Sequence, residues 1–482
     1  MTKKKSLKIN YIYNASYQII AILVPLITTP YLSRILKADG IGTYSYTFSI
    51  VSIFGIFAAL GTTVYGNREI SYVSNDRKKR SQVFWEIEFL SIITDLVCIV
   101  AFIAFLMISN EYILLYSVQI FTLFSIACNI SWLFQGMEEF KKIVIRNAIF
   151  KILSVIFIFV FVKSKNDLLL YALGLSALDF LGNLSIWLYL PKYVDKPDFK
   201  SLHPFRHFKY TFALFVPTIA SSIYTLFDKA MLHFFTSEAF ENGYYEQALK
   251  LSKTALTLIT ALESVMIPRI GALFVSEKHD EMRTLLYKSY RFVWILGLPL
   301  SFGLIGISYN FVPWFYGEGY DSVTDLLMIL GLLIPIIGLS NVTGIQYLIT
   351  TKRERVVSIT VSIGALCNVL LNLIFIPRLF ALGAAISSVC AELIISSLQI
   401  YYVRKEISPL KIFKSSIKYF VAATIMLVLL ISLNKIFTPT IFHTVVMISS
   451  GFLVYLLVLA IERDSLFLEL FNKLWAKIKD RN

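Results

Sequence analysis

At 482 residues, 57% of them hydrophobic and only 16% charged, the chain carries more apolar surface than a water-soluble fold of its size can cover. A mean hydropathy of +0.70 says the same. The net charge of +14 would suit a nucleic-acid binder, but the way the charges are distributed excludes that reading.

The apolar residues come in blocks of about 20, matched to a hydrocarbon core of about 30 Å at a 1.5 Å rise per residue. Lys3, Lys4, Lys5 and Lys8 precede the first block, 11–33. That block is too long for a signal-peptide core and has no small-residue cleavage site, so it reads as the first transmembrane helix. Further spans are expected at 44–65, 83–108, 112–135, 147–162, 168–190, 211–235, 244–272, 292–316, 324–350, 356–376, 379–402, 417–434 and 441–461. With the N-terminus inside, the inner flanking segments hold 34 Lys and Arg (Lys418 included) and the outer ones hold 6. This positive-inside asymmetry predicts both termini in the cytoplasm. Basic clusters such as Arg77–Arg80 are explained by loops that face anionic lipid.

Cys98, Cys128, Cys367 and Cys390 all fall inside predicted spans, which argues against a disulfide framework. His203 and His207 are at helical spacing but have no further ligand set nearby, so no metal or cofactor is expected. The sequence contains no G-x-x-x-x-G-K-[ST] motif, which excludes ATP hydrolysis through a P-loop. No outer loop exceeds about a dozen residues, which favours a transporter over a membrane-bound glycan polymerase or ligase.

The chain also repeats itself. Leu170-Tyr171-Ala172-Leu173-Gly174 returns as Leu379-Phe380-Ala381-Leu382-Gly383, and Gln135 matches Gln346. Val24-Pro25 echoes Val216-Pro217, Gly42-Thr43-Tyr44 echoes Gly243-Tyr244-Tyr245, and Arg68 echoes Arg269. These matches predict two six-helix lobes, a parallel repeat around a central cavity, with two extra C-terminal helices. The expected organisation is 1–200 for the N-terminal lobe, 201–403 for the C-terminal lobe, and 404–482 for the last two helices and tail. Prolines within spans are read as ordinary kinks.

Charges inside the spans are the informative exceptions. In span 8, Glu246, Lys250, Lys253, Thr257, Thr260 and Ser264 form one stripe at helical spacing, about 27 Å long. Such a stripe has to face a water-filled cavity or buried partners, because a charge at the bilayer centre costs a few kcal/mol or more. Span 7 adds Asp228 and Lys229 at a similar depth. Lys229, Lys250, Lys253 and Arg269 outnumber Asp228, Glu246 and Glu263, so the cavity is expected to be cationic and its substrate anionic. The equivalent stripe of span 2 (Ser45, Ser49, Ser52, Thr63) is polar and uncharged. Asp95, Lys151, Asp179 and Glu392 are scattered, and read as helix–helix contacts or coupling-ion ligands.

Several stretches resemble a known family, the polysaccharide-unit flippases or Wzx-type exporters. They are Tyr31-Leu32-Ser33-Arg34-Ile35-Leu36 with Gly40-Ile41-Gly42-Thr43-Tyr44, then Trp132-Leu133-Phe134-Gln135-Gly136-Met137-Glu138. In the second half they are Phe227-Asp228-Lys229-Ala230-Met231-Leu232, Gly243-Tyr244-Tyr245-Glu246 through Lys250, and Pro268-Arg269-Ile270. The resemblance covers nearly the whole chain. It implies the two-lobe fold shared with multidrug extruders and lipid II flippases, residence in the bacterial inner membrane, and no enzymatic activity. The implied substrate is an undecaprenyl-pyrophosphate-linked oligosaccharide for capsule, O-antigen or other surface polysaccharide. Polymerase and chain-length proteins are the implied partners, beside the bilayer lipids.

Joined to the charge pattern, this assigns Lys229, Lys250, Lys253 and Arg269, with Arg34 and Arg68, to the pyrophosphate. Asp228, Glu246, Gln135, Thr257 and Ser264 are assigned to polar lining or coupling. The energy source is expected to be the membrane potential or an H+ or Na+ gradient. The alternative on the same fold is a small-molecule extruder with an acidic or apolar cavity.

Overall fold

The computed structural model describes residues 7–261 and 263–464, with side chains for all of these except 7–19, 21, 216–218, 220–224 and 264–265. Every regular element among the described residues is helical. In chain order the α-helices are α1 (Leu7–Ala59), α2 (Thr62–Val73), α3 (Arg77–Ile108), α4 (Ile113–Ala127), α5 (Ser131–Gly136), α6 (Phe140–Phe161), α7 (Leu168–Ser185) and α8 (Phe208–Thr236). They continue with α9 (Ala239–Thr260), α10 (Glu263–Val275), α11 (His279–Tyr316), α12 (Asp321–Leu330), α13 (Leu333–Asn341), α14 (Glu354–Val403), α15 (Pro409–Lys414), α16 (Ile417–Asn434) and α17 (Ile441–Ile461).

Ten stretches of described residues are helical, long and apolar enough to cross a membrane. Two of them, Ile22–Val73 and Glu354–Val403, run for 52 and 50 residues and hold two spans each. Their turning points are single residues in the left-handed region, Lys37 (φ 58°) in α1 and Phe380 (φ 53°) in α14. The α9 helix is excluded from the ten by Glu246, Lys250 and Lys253 in its middle, and α8 is long enough at 29 residues. Counting the two long stretches twice gives twelve spans, and α8 and α9 lie at the positions of expected spans 7 and 8.

The structure corrects several predicted boundaries. Spans 1 and 2 are not separated by a loop, because one residue with positive φ is enough to redirect the chain. Span 4 breaks at residues 128–130 into α4 and α5, and span 10 becomes α12, α13 and a π-helical turn, Val342–Ile349. Span 8 also breaks, after Thr260. Its polar stripe therefore runs from Glu246 to Thr260, about 21 Å, and not to Ser264.

Packing divides the chain into two compact units, Met1–Gly243 and Tyr244–Asn482. The first unit includes α8, which lies against α1 and α2. Its core holds the buried aromatic side chains of Phe84, Trp132 and Phe134. The absence of a side chain at Gly66 makes room for the Trp132 indole, since a Cβ there would lie 2.5 Å from the ring. In the second unit α16 and α17 pack on α11, where Trp314 Nε1 donates to Thr444 Oγ1 at 2.7 Å and Thr444 donates to Asn310 at 2.6 Å. The Tyr455 hydroxyl adds a bond to the Ile295 carbonyl at 2.9 Å. The last two helices are thus tied to the second unit by buried polar bonds as well as by apolar area.

Candidate functional site

Two glycines that match in the sequence repeat lie in direct contact. A Cβ on Gly42 would sit 1.6 Å from the Ala239 carbonyl oxygen and 2.7 Å from the Gly243 nitrogen, and one on Gly243 would sit 2.2 Å from the Ala38 oxygen. Only glycine permits this backbone approach. Near it, the His233 ring of α8 stacks on Tyr46 with centroids 3.9 Å apart, and Glu111 lies 3.8 Å from His233 Nε2.

The other end of α8 is held as well. Gly61, at φ 71°, meets the backbone of Thr211 and Phe215. His207 bonds to the Tyr65 hydroxyl through Nδ1 and to the buried Glu86 carboxylate through Nε2, both at 2.8 Å, and Arg206 pairs with the same carboxylate. His207 is therefore engaged in a buried network. Sequence reading missed this network. Its only signal was an acidic residue, Glu86, early in an apolar span, and its partners lie about 120 residues away in the chain.

The α9 helix has two distinct faces. Tyr245, Ala248, Leu249, Ser252 and Ile259 are buried in the second unit. Tyr245 bonds to Ser388 Oγ at 2.9 Å, and the Tyr316 hydroxyl donates to the Gln247 carbonyl at 3.1 Å. At 100° per residue the stripe of Glu246, Lys250, Lys253, Thr257 and Thr260 is centred about 115° from that buried face. Its members are half-buried, and Lys253 is exposed. The Thr257 hydroxyl satisfies itself on the Thr254 carbonyl at 2.6 Å, so the charge of the stripe rests with Glu246, Lys250 and Lys253. Asp228, Lys229, Glu246, Lys250 and Lys253 are each engaged by a neighbouring group, so any ligand has to exchange with existing interactions.

The remaining candidates are dispersed. Asp228 is buried and Lys229 half-buried on α8. Arg34 is exposed and donates to the Pro30 carbonyl at 2.8 Å. Arg68 is exposed, pairs with Glu69 at 3.2 Å and lies over the Tyr65 ring. Gln135 is half-buried near the end of α5. These five belong to the first unit, while Glu246, Lys250, Lys253, Thr257 and the exposed Arg269 belong to the second. The Ser264 side chain lies outside the described residues.

The comparisons with known proteins agree with this architecture. A family model described as "Polysaccharide biosynthesis protein" matches residues 7–274. An Escherichia coli (strain K12) protein carrying the name "Putative O-antigen transporter" is 24% identical over 409 residues, covering 84% of this chain and 98% of that protein. The structure of "Lipid II flippase MurJ, inward closed conformation" is similar with a TM-score of 0.74 at 18% identity, over 95% of this chain and 99% of that one. An inward-facing multidrug resistance MATE family transporter of the MOP superfamily gives a TM-score of 0.62 at 15% identity, over 81% and 99%. At these identities the two structures show the fold.

Proposed function

Because this chain belongs to the polysaccharide biosynthesis protein family, we propose that it flips undecaprenyl-pyrophosphate-linked oligosaccharide repeat units from the inner to the outer leaflet of the bacterial cytoplasmic membrane. It is a multi-pass membrane transporter of polysaccharide biosynthesis, and the family and its relatives are not catalysts. The observation that carries the proposal is the α9 stripe, two lysines in line on one helix, Lys250 half-buried and Lys253 exposed, beside the face packed into their own unit.

In this reading Lys250, Lys253 and Arg269 receive the pyrophosphate, and Glu246 holds the lysines in position when no substrate is bound. Arg34, Arg68 and Lys229 contact the phosphates or the glycan at other stages of passage. Thr257 supplies a polar wall, the lipid tail stays in the bilayer, and both termini face the cytoplasm. Alternating access moves the headgroup outward. A pyrophosphate diester with about two charges leaving a negative interior gains roughly 4–5 kcal/mol per 100 mV, enough for the membrane potential to drive export without ATP. Polymerase and chain-length proteins would take up the exported unit.

The test is reconstitution in proteoliposomes with a fluorescent lipid-linked oligosaccharide. Transfer between leaflets should accelerate when a valinomycin-clamped potential is imposed, negative on the inner side. No transfer in either polarity would contradict the proposal. Export of a cationic dye in its place would favour the extruder reading, for which the MATE-like fold is the supporting observation.

A further inference from the structure

At the basic end of the second unit two cavities of opposite character meet at one arginine. The first, of about 410 Å³, is an almost wholly apolar crevice walled by Trp294, Pro335, Leu339, Ile400 and Phe413, with Arg404 at its mouth. The second, of about 420 Å³, is polar and lined by Arg283, Arg404, Lys405 and Lys411, with Glu406 and Tyr287. Both fall within the roughly 300–1,000 Å³ of small-molecule sites. Neither includes a residue of the α9 stripe, so the two sites are separate.

The charges of the polar cavity do not cancel. The Glu406 carboxylate is taken by Arg353 through two bonds, at 2.7 and 3.0 Å, and Asp280 is exposed with only a loose 3.7 Å pairing to Arg283. Among the described residues no carboxylate lies within ion-pair distance of Arg404, Lys405 or Lys411. The Arg404 guanidinium lies over the Tyr401 ring with 3.6 Å to the centroid and gives one N–H to the Tyr401 carbonyl. The rest of its fork remains to donate, and guanidinium geometry suits a phosphate.

The walls are fixed in place. Trp294 Nε1 donates to the Ile412 carbonyl at 3.1 Å, and the Ser408 amide donates to the Tyr287 hydroxyl at 2.8 Å, which tethers α15 over both cavities. On α15 itself Leu410 and Phe413 are exposed apolar residues beside Lys411 and Lys414, the composition of a helix lying at a membrane interface.

We infer that this pair of cavities binds an anionic phospholipid, its phosphate on Arg404 and Lys411 and part of an acyl chain in the crevice beside Trp294. A soluble phosphate would satisfy the polar cavity alone and leave the adjoining crevice without a role. A zwitterionic lipid would fill the crevice but add its own cation to a site already rich in them.

The test uses the full-length protein in phosphatidylcholine nanodiscs titrated with phosphatidylglycerol carrying dibrominated chains. Quenching of Trp294 is read as the difference between wild type and Trp294→Phe. Half-quenching should occur at about tenfold less phosphatidylglycerol than dibrominated phosphatidylcholine, from two cations acting on one phosphate. Arg404→Gln/Lys411→Gln should bring the two lipids within about twofold of each other. Equal quenching by both lipids in the wild type overturns the proposal without recourse to any variant. So does displacement of the brominated lipid by excess soluble glycerol phosphate, because the headgroup alone would then suffice. Native mass spectra of the wild type offer a second readout, expected to retain phosphatidylglycerol over phosphatidylcholine; equal retention counts against the site.

Discussion

The second half of α1 and the helix α9 occupy the same place in the two repeats, 201 residues apart, and have diverged in one respect. Their backbones agree closely. Each follows a residue of positive φ, Lys37 and Ser237, each carries the close-packed glycine, Gly42 and Gly243, and each breaks at the same point. The breaks run from Ala59 to Thr62 in one and from Thr260 to Glu263 in the other. Their polar residues differ. Ser45 and Ser49 are buried and Ser52 is half-buried, the Ser49 hydroxyl is bonded to its own helix, and between Ser45 and Ser49 the buried Thr47 accepts from Gln119 at 3.0 Å. The residues matching Ser45, Ser49 and Ser52 are Glu246, Lys250 and Lys253, which are half-buried or exposed. The repeat has kept a backbone while one copy uses its polar positions for packing and the other presents charge. Binding of an anion is therefore expected on one copy only.

This contrast can be broken from the α1 side. Ser49→Lys places on α1 the charge that α9 carries at Lys250, but in a fully buried position, and should cost about 3 kcal/mol and lower the yield of folded protein. If the variant folds and melts like wild type, α1 can present charge as α9 does and the contrast fails. Gly42→Ala or Gly243→Ala should cost about 1–3 kcal/mol by forcing the backbones apart, read as a lowered melting temperature in detergent. An unchanged melting temperature would mean the close approach is absent. Thr47→Val should cost about 1 kcal/mol, since Gln119 loses its buried acceptor, and should leave transport per folded molecule unchanged.

Much of this was legible in the sequence because membrane spans are written in blocks of apolar length. The fourteen spans and the period of the α9 stripe needed only hydropathy and 100° geometry. The reversals at Lys37 and Phe380 were not legible, because neither residue is a glycine or proline and one left-handed residue leaves no trace in hydropathy. The α9 break was hidden for a related reason: Ala261 and Leu262 are apolar. Its repeat equivalent contains Gly61, so an alignment of the two halves at the offset of 201 carries the clue. The meeting of Gly42 with Gly243, and of Glu86 with Arg206 and His207, depends on how distant segments pack. Residue type marked these positions as unusual without saying what they touch.

The central claim is that the α9 lysines handle an anion while their α1 counterparts only pack. It is tested most directly by measuring lipid-linked repeat-unit export in cells carrying Lys250→Ala or Lys253→Ala beside Ser49→Ala or Ser52→Ala, all at matched protein levels. Export should fall by about tenfold or more in both lysine variants and stay within about twofold of wild type in both serine variants. Wild-type export with either lysine removed, or an equal loss across all four, would contradict the account.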